Sequence, residues 1–133
     1  MTYQKVVAYL EEQARAVGAA SFWHGKETAQ DINYAAPFPQ VYLFLMPSTL
    51  RKGRVISKVR MLFFGNDEHG SSTEESVAIQ DAMDALTQQF IAALEEDAVG
   101  EVGDVDRGPV ARKGSTIGTG FLIGFTFTTK GVC

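Results

Sequence analysis

The chain has 133 residues, which fits one domain with a single hydrophobic core. Its hydrophobic content of 45% and charged content of 21% are ordinary for a globular protein and argue against disorder. The formal net charge of −4 disfavours nonspecific binding to nucleic acid, because that binding depends on cationic side chains that meet phosphates. We expect no sequence-specific nucleic-acid partner either.

The single cysteine, Cys133, leaves no pair for an internal disulfide and lacks the usual partners of a thiolate metal site. Charged residues interrupt the first apolar run, so residues 1–13 do not have the pattern of a secretory signal. No stretch approaches the roughly 20 uninterrupted apolar residues of a membrane helix, and we expect no membrane partner. These features predict a soluble protein made in a reducing cytoplasm.

The first part of the chain predicts a helix and two strands. Residues 2–17 place their apolar side chains on one helical stripe, and Gly18 ends that helix. The aromatic run 20–25 predicts a first strand, followed by a loop or ragged strand over 26–34. Residues 40–46 are mostly apolar at both odd and even positions, which predicts a central strand covered on both faces.

Two later segments alternate between apolar and polar residues, as half-buried strands do. Residues 54–64 form a long hairpin with 40–46, joined by a polar turn over 48–53. Residues 121–130 place phenylalanine and isoleucine on one side and glycine, threonine and lysine on the other. Between them, weak strands are predicted around 102–105 and 110–112.

The longest helix is predicted over residues 71–97, whose apolar residues recur mostly at steps of three and four. Ser72 with Glu75 has the form of a capping box, as has Ser71 with Glu74. Gly100 follows the last apolar turn, where a left-handed terminating residue is expected. The helix therefore has one apolar face that needs a partner surface.

These elements predict an α+β fold in one domain spanning 1–133, with a mostly antiparallel sheet, a long hairpin and two helices on one face. Phe90 and Phe125 lie in the middle of their apolar stripes, so both should be buried where the long helix packs on the last strand. Thr126 should point to the opposite face.

Histidines and glycines do not have the spacing of known sites. His24 and His69 lack an HExxH motif or a Cys/His cluster and read as partly exposed turn residues. The glycine-rich run 114–120 fits neither a P-loop nor a dinucleotide fingerprint, and it precedes a strand. We interpret it as a surface loop and expect no nucleotide.

Acidic residues also fail to form a recognisable site. Asp104 and Asp106 begin in the direction of a calcium loop, but the pattern does not continue. Residues 66–68 and these aspartates are interpreted as solvated loop charge. With no Gly-x-Ser-x-Gly motif present, we expect no enzyme, no catalytic residue, no metal and no cofactor.

Charge is distributed unevenly along the chain, with basic residues on the hairpin and in a late loop and acidic residues on the helices and over 95–106. Separated patches of opposite sign can steer the association of identical subunits. The candidate interaction residues are Arg51, Lys52, Arg54, Arg107, Arg112 and Lys113. Because residues 106–119 have few apolar side chains, we expect that segment to be mobile in a free subunit and to order on docking.

The order of elements, with a first helix, an aromatic strand, the hairpin 40–64, the helix 71–97 and the closing strand 121–130, resembles the tail terminator, or tail-completion, proteins of tailed bacteriophages. The resemblance spans nearly the whole chain and is one of architecture. It implies a structural virion subunit that forms a homo-oligomeric ring, typically a hexamer, at the head-tail junction. The implied partners are other copies, the tail tube and neck proteins, in the host cytoplasm during assembly and then in the virion.

A second interpretation remains open. A small α+β ligand-binding or enzymatic domain could use an aromatic pocket lined by Phe22, Trp23, Tyr42 and Phe44. Aromatic clusters are more often core than pocket, so the assembly subunit is the leading hypothesis.

Overall fold

The computed structural model describes residues 1–26, 36–67, 73–110 and 119–132. Across these residues the chain forms two helices and seven strands of one mostly antiparallel sheet, which confirms the predicted α+β class. In chain order the elements are α1 (Tyr3–Ala16), β1 (Ser21–Gly25), β2 (Gln40–Phe44), β3 (Ser48–Arg51), β4 (Arg54–Phe64), α2 (Thr73–Asp97), β5 (Glu101–Val102), β6 (Asp106–Val110) and β7 (Gly120–Lys130).

The two longest strands, β4 and β7, form the centre of the sheet and pair antiparallel over their full length. Strands β2 and β3 pair one after the other with the side of β4 that faces away from β7, and they complete the predicted long hairpin. Strands β5 and β6 do the same along the free side of β7. Strand β1 lies outside β2 and parallel to it, which the long connection over 26–39 permits, since parallel neighbours need a crossover.

The hydrophobic core lies between one face of the sheet and both helices, as predicted. The alternate residues of β2, β4 and β7 that point to this helix-covered face are Val41, Leu43, Val59, Met61, Phe63, Ile123, Phe125 and Phe127. Phe90 of α2 is completely buried and its ring lies 5.4 Å from that of Phe63, while Phe125 is 5% exposed. Thr126 is exposed on the opposite face, so the predicted facing and register of β7 are confirmed.

A smaller apolar cluster lies on the outer face of the sheet, which we define as the face that neither helix covers. It consists of Tyr42, Phe44, Leu62 and Phe64, with Trp23, Phe38, Val110 and Leu122 packed against it. Strand β2 contributes to both clusters, and all five of its residues are buried. The prediction that this strand is covered on both faces is therefore confirmed.

The ends of the helices agree with the prediction at α1 and differ at α2. Gly18 follows α1 with a φ of +126°, a conformation that favours glycine. The left-handed residue after α2 is Ala98, with a φ of +54°, and not Gly100 as expected. A Cβ at Gly100 would lie 2.7 Å from the Phe127 ring, so glycine is required there for close packing. The capping residues predicted at 71 and 72 lie outside the described residues.

The helices are joined at one end by a polar contact. The hydroxyl of Tyr9 on α1 donates a hydrogen bond of 2.8 Å to Oδ2 of Asp97, the last residue of α2. Burial, followed by this hydrogen bond and the charge of Asp97, raises the pKa of the Tyr9 hydroxyl well above its usual range. The contact therefore fixes the C-terminal end of α2 against α1.

The structure differs from the predictions in two irregular segments. The polar turn expected over 48–53 contains strand β3, and only Lys52 and Gly53 form the turn. The segment expected to be mobile begins with β6, whose five residues pair with β7 along the edge of the sheet. Residues 111–118 lie outside the described part of the chain. Backbone pairing with a long, well-packed neighbour stabilises β6 although its own side chains are mostly exposed.

Candidate interaction surfaces

Exposed aliphatic side chains and basic residues occur together at the end of the molecule that carries the β3–β4 turn. We call this end the tip surface, and it consists of Leu50, Arg51, Lys52, Arg54, Val99 and Val132. Leu50 is 73% exposed and Val132 is 76% exposed, the highest values among the large hydrophobic residues described. Contiguous exposed apolar side chains bounded by polar ones are typical of interaction sites.

The backbone explains why the hairpin extends to the tip. Arg51 pairs with Arg54, and the two residues between them have φ of +52° at Lys52 and +75° at Gly53. Positive φ at both central residues defines the two-residue hairpin turn whose twist matches that of the strands. The N–H of Gly131 donates to Gly53 O at 2.7 Å, which holds the end of the chain beside the turn.

A depression of about 1090 Å³ opens at this end, between the turn and the C-terminal end of α2. Its lining includes Lys52, Val99 and Val132, together with the acidic residues Glu95 and Glu101. Arg54 lies 3.6 Å from Glu101, and both side chains are largely exposed, so this ion pair contributes little to stability. The tip surface is therefore apolar and basic, with two acidic residues at its margin.

The structure separates the predicted interaction residues into two places. Arg51, Lys52 and Arg54 lie together on the tip surface. Arg107 lies on β6, forms an ion pair with Asp84 of α2 and stacks over the Phe121 ring at 4.9 Å. Arg107 thus joins the edge of the sheet to α2 within the subunit. Arg112 and Lys113 lie outside the described residues.

The apolar part of the tip surface was not predicted from the sequence. The signal was present at Leu50, an isolated large aliphatic residue in the otherwise polar run 48–53. Val132 and Val99 are distant in the sequence, and only the fold brings them to the same end as the turn. Their contribution could not be inferred from local patterns.

The outer face carries a second feature, a charged groove with walls of opposite sign. One wall is formed by Lys58 and Arg60 of β4, and the other by Asp104 and Asp106 at the edge of the sheet. The floor is β7, where Gly124 pairs with both Arg60 and Asp106, and Thr126 pairs with Lys58. The groove has a volume of about 560 Å³.

The arrangement of the groove follows from strand geometry. Neighbouring strands lie about 4.8 Å apart, so the basic and acidic walls stand about 10 Å apart on either side of β7. Gly124 has no side chain, and Thr126 has a short one, so the floor between the two walls is low. The guanidinium of Arg60 lies 5.0 Å above the Phe44 ring, which holds the basic wall against the outer apolar cluster.

The aromatic residues of the alternative interpretation do not line one pocket. Phe22 packs against the core on the helix-covered side, whereas Trp23, Tyr42 and Phe44 belong to the outer cluster. Tyr42 donates its hydroxyl hydrogen to Lys26 O at 2.8 Å, and burial raises its pKa. The pocket proposed from these four residues was therefore wrong, because neighbouring residues of a strand point to opposite faces.

The titratable residues singled out in the sequence are dispersed. His24 lies in β1 and contacts the hydroxyl of Tyr3 through Nε2 at 2.8 Å, and His69 is outside the described residues. Asp67, expected as solvated loop charge, is 3% exposed, so that interpretation was wrong for it. Within the described ranges, no three His, Cys, Asp or Glu residues are grouped closely enough to hold a metal ion.

No model of a known protein family matches the sequence, and no curated protein matches it. Neither helix in the described part of the chain has the length and apolar character needed to cross a membrane.

Proposed function

We propose that the chain is a structural subunit of a virion, resembling the tail terminator and neck proteins of tailed bacteriophages, that assembles into a homo-oligomeric ring at the head-tail junction. The observation that supports this proposal best is the tip surface, where Leu50 and Val132 expose most of their aliphatic side chains to solvent. A hairpin tip with this composition suits burial against another protein.

The charges suggest how one subunit would meet the next. The basic residues of the tip surface are matched on the helix layer by exposed carboxylates, among them Glu12, Asp81 and Glu96. A contact between the tip of one subunit and the helices of its neighbour is heterologous, and heterologous contacts form closed rings when the rotation between subunits closes. Tail tube and neck proteins would then bind above and below this ring.

Sedimentation velocity and negative-stain electron microscopy of the purified chain test the proposal. We expect ring-shaped oligomers that dissociate when the tip surface is changed by Leu50→Thr with Lys52→Asp. Threonine suits a strand, and aspartate followed by Gly53 suits the turn, so this variant should keep the hairpin folded. Leu45, which is 49% exposed between β2 and β3 and lies on neither the tip surface nor a helix, supplies the matched control Leu45→Thr.

The control variant should assemble as the unaltered chain does. A chain that remains monomeric at all concentrations, or rings that persist in the tip variant, would contradict the proposal. Closed oligomers that bind no tail or neck component would support self-assembly into a ring and would contradict the assignment to the head-tail junction.

A further inference from the structure

The charged groove has a property that the tip surface lacks, which is complementarity to itself. The groove has a basic wall, formed by Lys58 and Arg60, and an acidic wall, formed by Asp104 and Asp106. The two walls run along opposite sides of the same strand, β7. A rotation of 180° about an axis along β7 exchanges the two walls. A second copy placed face to face by this rotation therefore sets each basic wall over an acidic one.

We propose that the outer face binds a second copy of this chain, in a symmetric pair whose twofold axis runs along β7. The alternative twofold axis, across the strands, would place Lys58 and Arg60 over the same residues of the partner. Like charges brought together in this way oppose association. The charges thus select one of the two face-to-face arrangements.

The floor of the groove permits the close approach that the pair needs. Two sheets pack face to face at about 10 Å, and the side chains between them must be accommodated. Gly124 and Thr126 lie on the axis, so each would oppose the same residue of the partner. Because these residues are small, the walls can interdigitate while the floors approach each other.

A second copy is favoured over a small ligand by the shape of the groove. Lys58, Arg60, Asp104 and Asp106 are exposed residues, and the groove is open along its length. Sites for small molecules usually enclose most of the ligand surface. An opposing sheet covers both walls at once. The pairing uses no residue of the tip surface, so it does not depend on the proposed function.

Charge-reversal variants test the pair by native mass spectrometry and analytical ultracentrifugation. Lys58→Glu with Arg60→Glu makes both walls acidic, and Asp104→Lys with Asp106→Lys makes both walls basic. Each variant alone should dissociate, with a dimer Kd raised more than about tenfold, because like charges then face each other. An equimolar mixture of the two should recover a heterodimer, since every facing pair is again of opposite sign.

A steric variant supplies an independent readout. A Cβ at Gly124 would lie 3.7 Å from Val59 O and 3.8 Å from Arg60 Cγ, both ordinary contacts, so we expect Gly124→Val to fill the groove while the subunit stays folded. It should abolish pairing while the unfolding midpoint in urea stays the same or rises. In a Cys133→Ser background, Thr126→Cys should be joined to its partner by a short bismaleimide cross-linker, because facing sheets about 10 Å apart are too distant for a direct disulfide. Leu50→Cys should not be joined in this way.

Failure of the mixed charge variants to associate, while each is folded by circular dichroism, would overturn the face-to-face pair. Efficient pairing of Gly124→Val would overturn it as well. Both outcomes are distinguishable from failure of the ring, because the tip variant leaves the groove intact and the groove variants leave the tip surface intact.

Discussion

Thr119 donates a hydrogen bond of 2.6 Å from its side-chain hydroxyl to Oδ2 of Asp67, and the two residues are 2% and 3% exposed. The backbone strengthens the same junction, because the N–H of Gly65 donates to Thr119 O at 3.1 Å. The contact joins the end of β4 to the start of β7. It fixes the register of the central strand pair at the end where α2 begins.

This hydrogen bond should be measurable in the stability of the fold. Thr119→Val keeps the shape of the side chain and removes the donor, which leaves a buried carboxyl oxygen with one partner fewer. We expect the free energy of unfolding to fall by about 1–3 kcal/mol. Thr119→Ser keeps the hydroxyl and is the matched control. Equal urea midpoints for the valine and serine variants would show that the bond has no net effect.

Burial of the phenylalanines in the core predicts a large difference between neighbouring residues of β7. Phe90→Ala and Phe125→Ala should each lower the free energy of unfolding by roughly 3–5 kcal/mol, because each leaves a cavity between α2 and the sheet. Thr126→Ala, on the exposed face, should cost less than about 1 kcal/mol. Urea denaturation measures all three, and a similar cost for Phe125→Ala and Thr126→Ala would be inconsistent with the facing of β7.

Two glycines on the neighbouring strands β6 and β7 provide a matched pair. A Cβ at Gly120 would lie 1.9 Å from Phe63 O, whereas a Cβ at Gly108 has nothing within 4 Å. Gly120→Ala should therefore destabilise the fold by at least about 1–3 kcal/mol, because the strand backbone cannot yield easily. Gly108→Ala should change stability by less than about 1 kcal/mol in either direction. Thermal unfolding of the two variants tests whether β4 and β7 approach as closely as described.

The contact between Tyr3 and His24 predicts a dependence on pH. The Tyr3 hydroxyl accepts a hydrogen bond from the Met46 N–H at 3.2 Å and lies 2.8 Å from Nε2 of His24. If the hydroxyl donates its one hydrogen to Nε2, the imidazole is neutral. Burial lowers the pKa of His24 below its ordinary value of 6.5. Between the lowered pKa of the folded state and pH 6.5, the unfolded chain therefore binds more protons than the folded chain.

The contribution of His24 to the free energy of unfolding is therefore fully present above pH 6.5, and it is lost as the pH falls through the lowered pKa of the folded state. His24→Gln retains an acceptor for Tyr3 and removes the titration. Between about pH 7.5 and pH 5, the unaltered chain should lose more free energy of unfolding than the glutamine variant. Urea midpoints at several pH values measure the difference, and parallel curves would contradict the predicted role of His24.

Much of the fold could be predicted because its longest elements have strong local patterns. The strand predicted over 54–64 has the same bounds as β4, and α2 ends at Asp97 as predicted. The shorter elements were harder to predict. Strand β3 has no buried residue, so its polar sequence resembles a turn, and the edge strand β6 is stabilised by pairing with β7. Pairing energy of this kind is absent from the local sequence.

The interaction surfaces were predictable only in part. Clusters of basic residues identified the hairpin tip, because Arg51, Lys52 and Arg54 are close in sequence. The groove could not be predicted, since its walls come from β4 and from the segment 104–106, which are about 45 residues apart in the chain. Arg107 has the same charge as the tip residues, yet its ion pair with Asp84 directs it to α2.

By itself, the sequence determined which residues form the helices and the long strands and which faces of them are apolar, because side-chain periodicity is a local property of the backbone. Only the tertiary structure decided that β1 runs parallel to β2, that Asp67 is buried, and that opposite charges line one groove on the outer face. These features depend on contacts between residues distant in the chain. Such contacts are set by the packing of the whole sheet against the helices, and no local pattern specifies them.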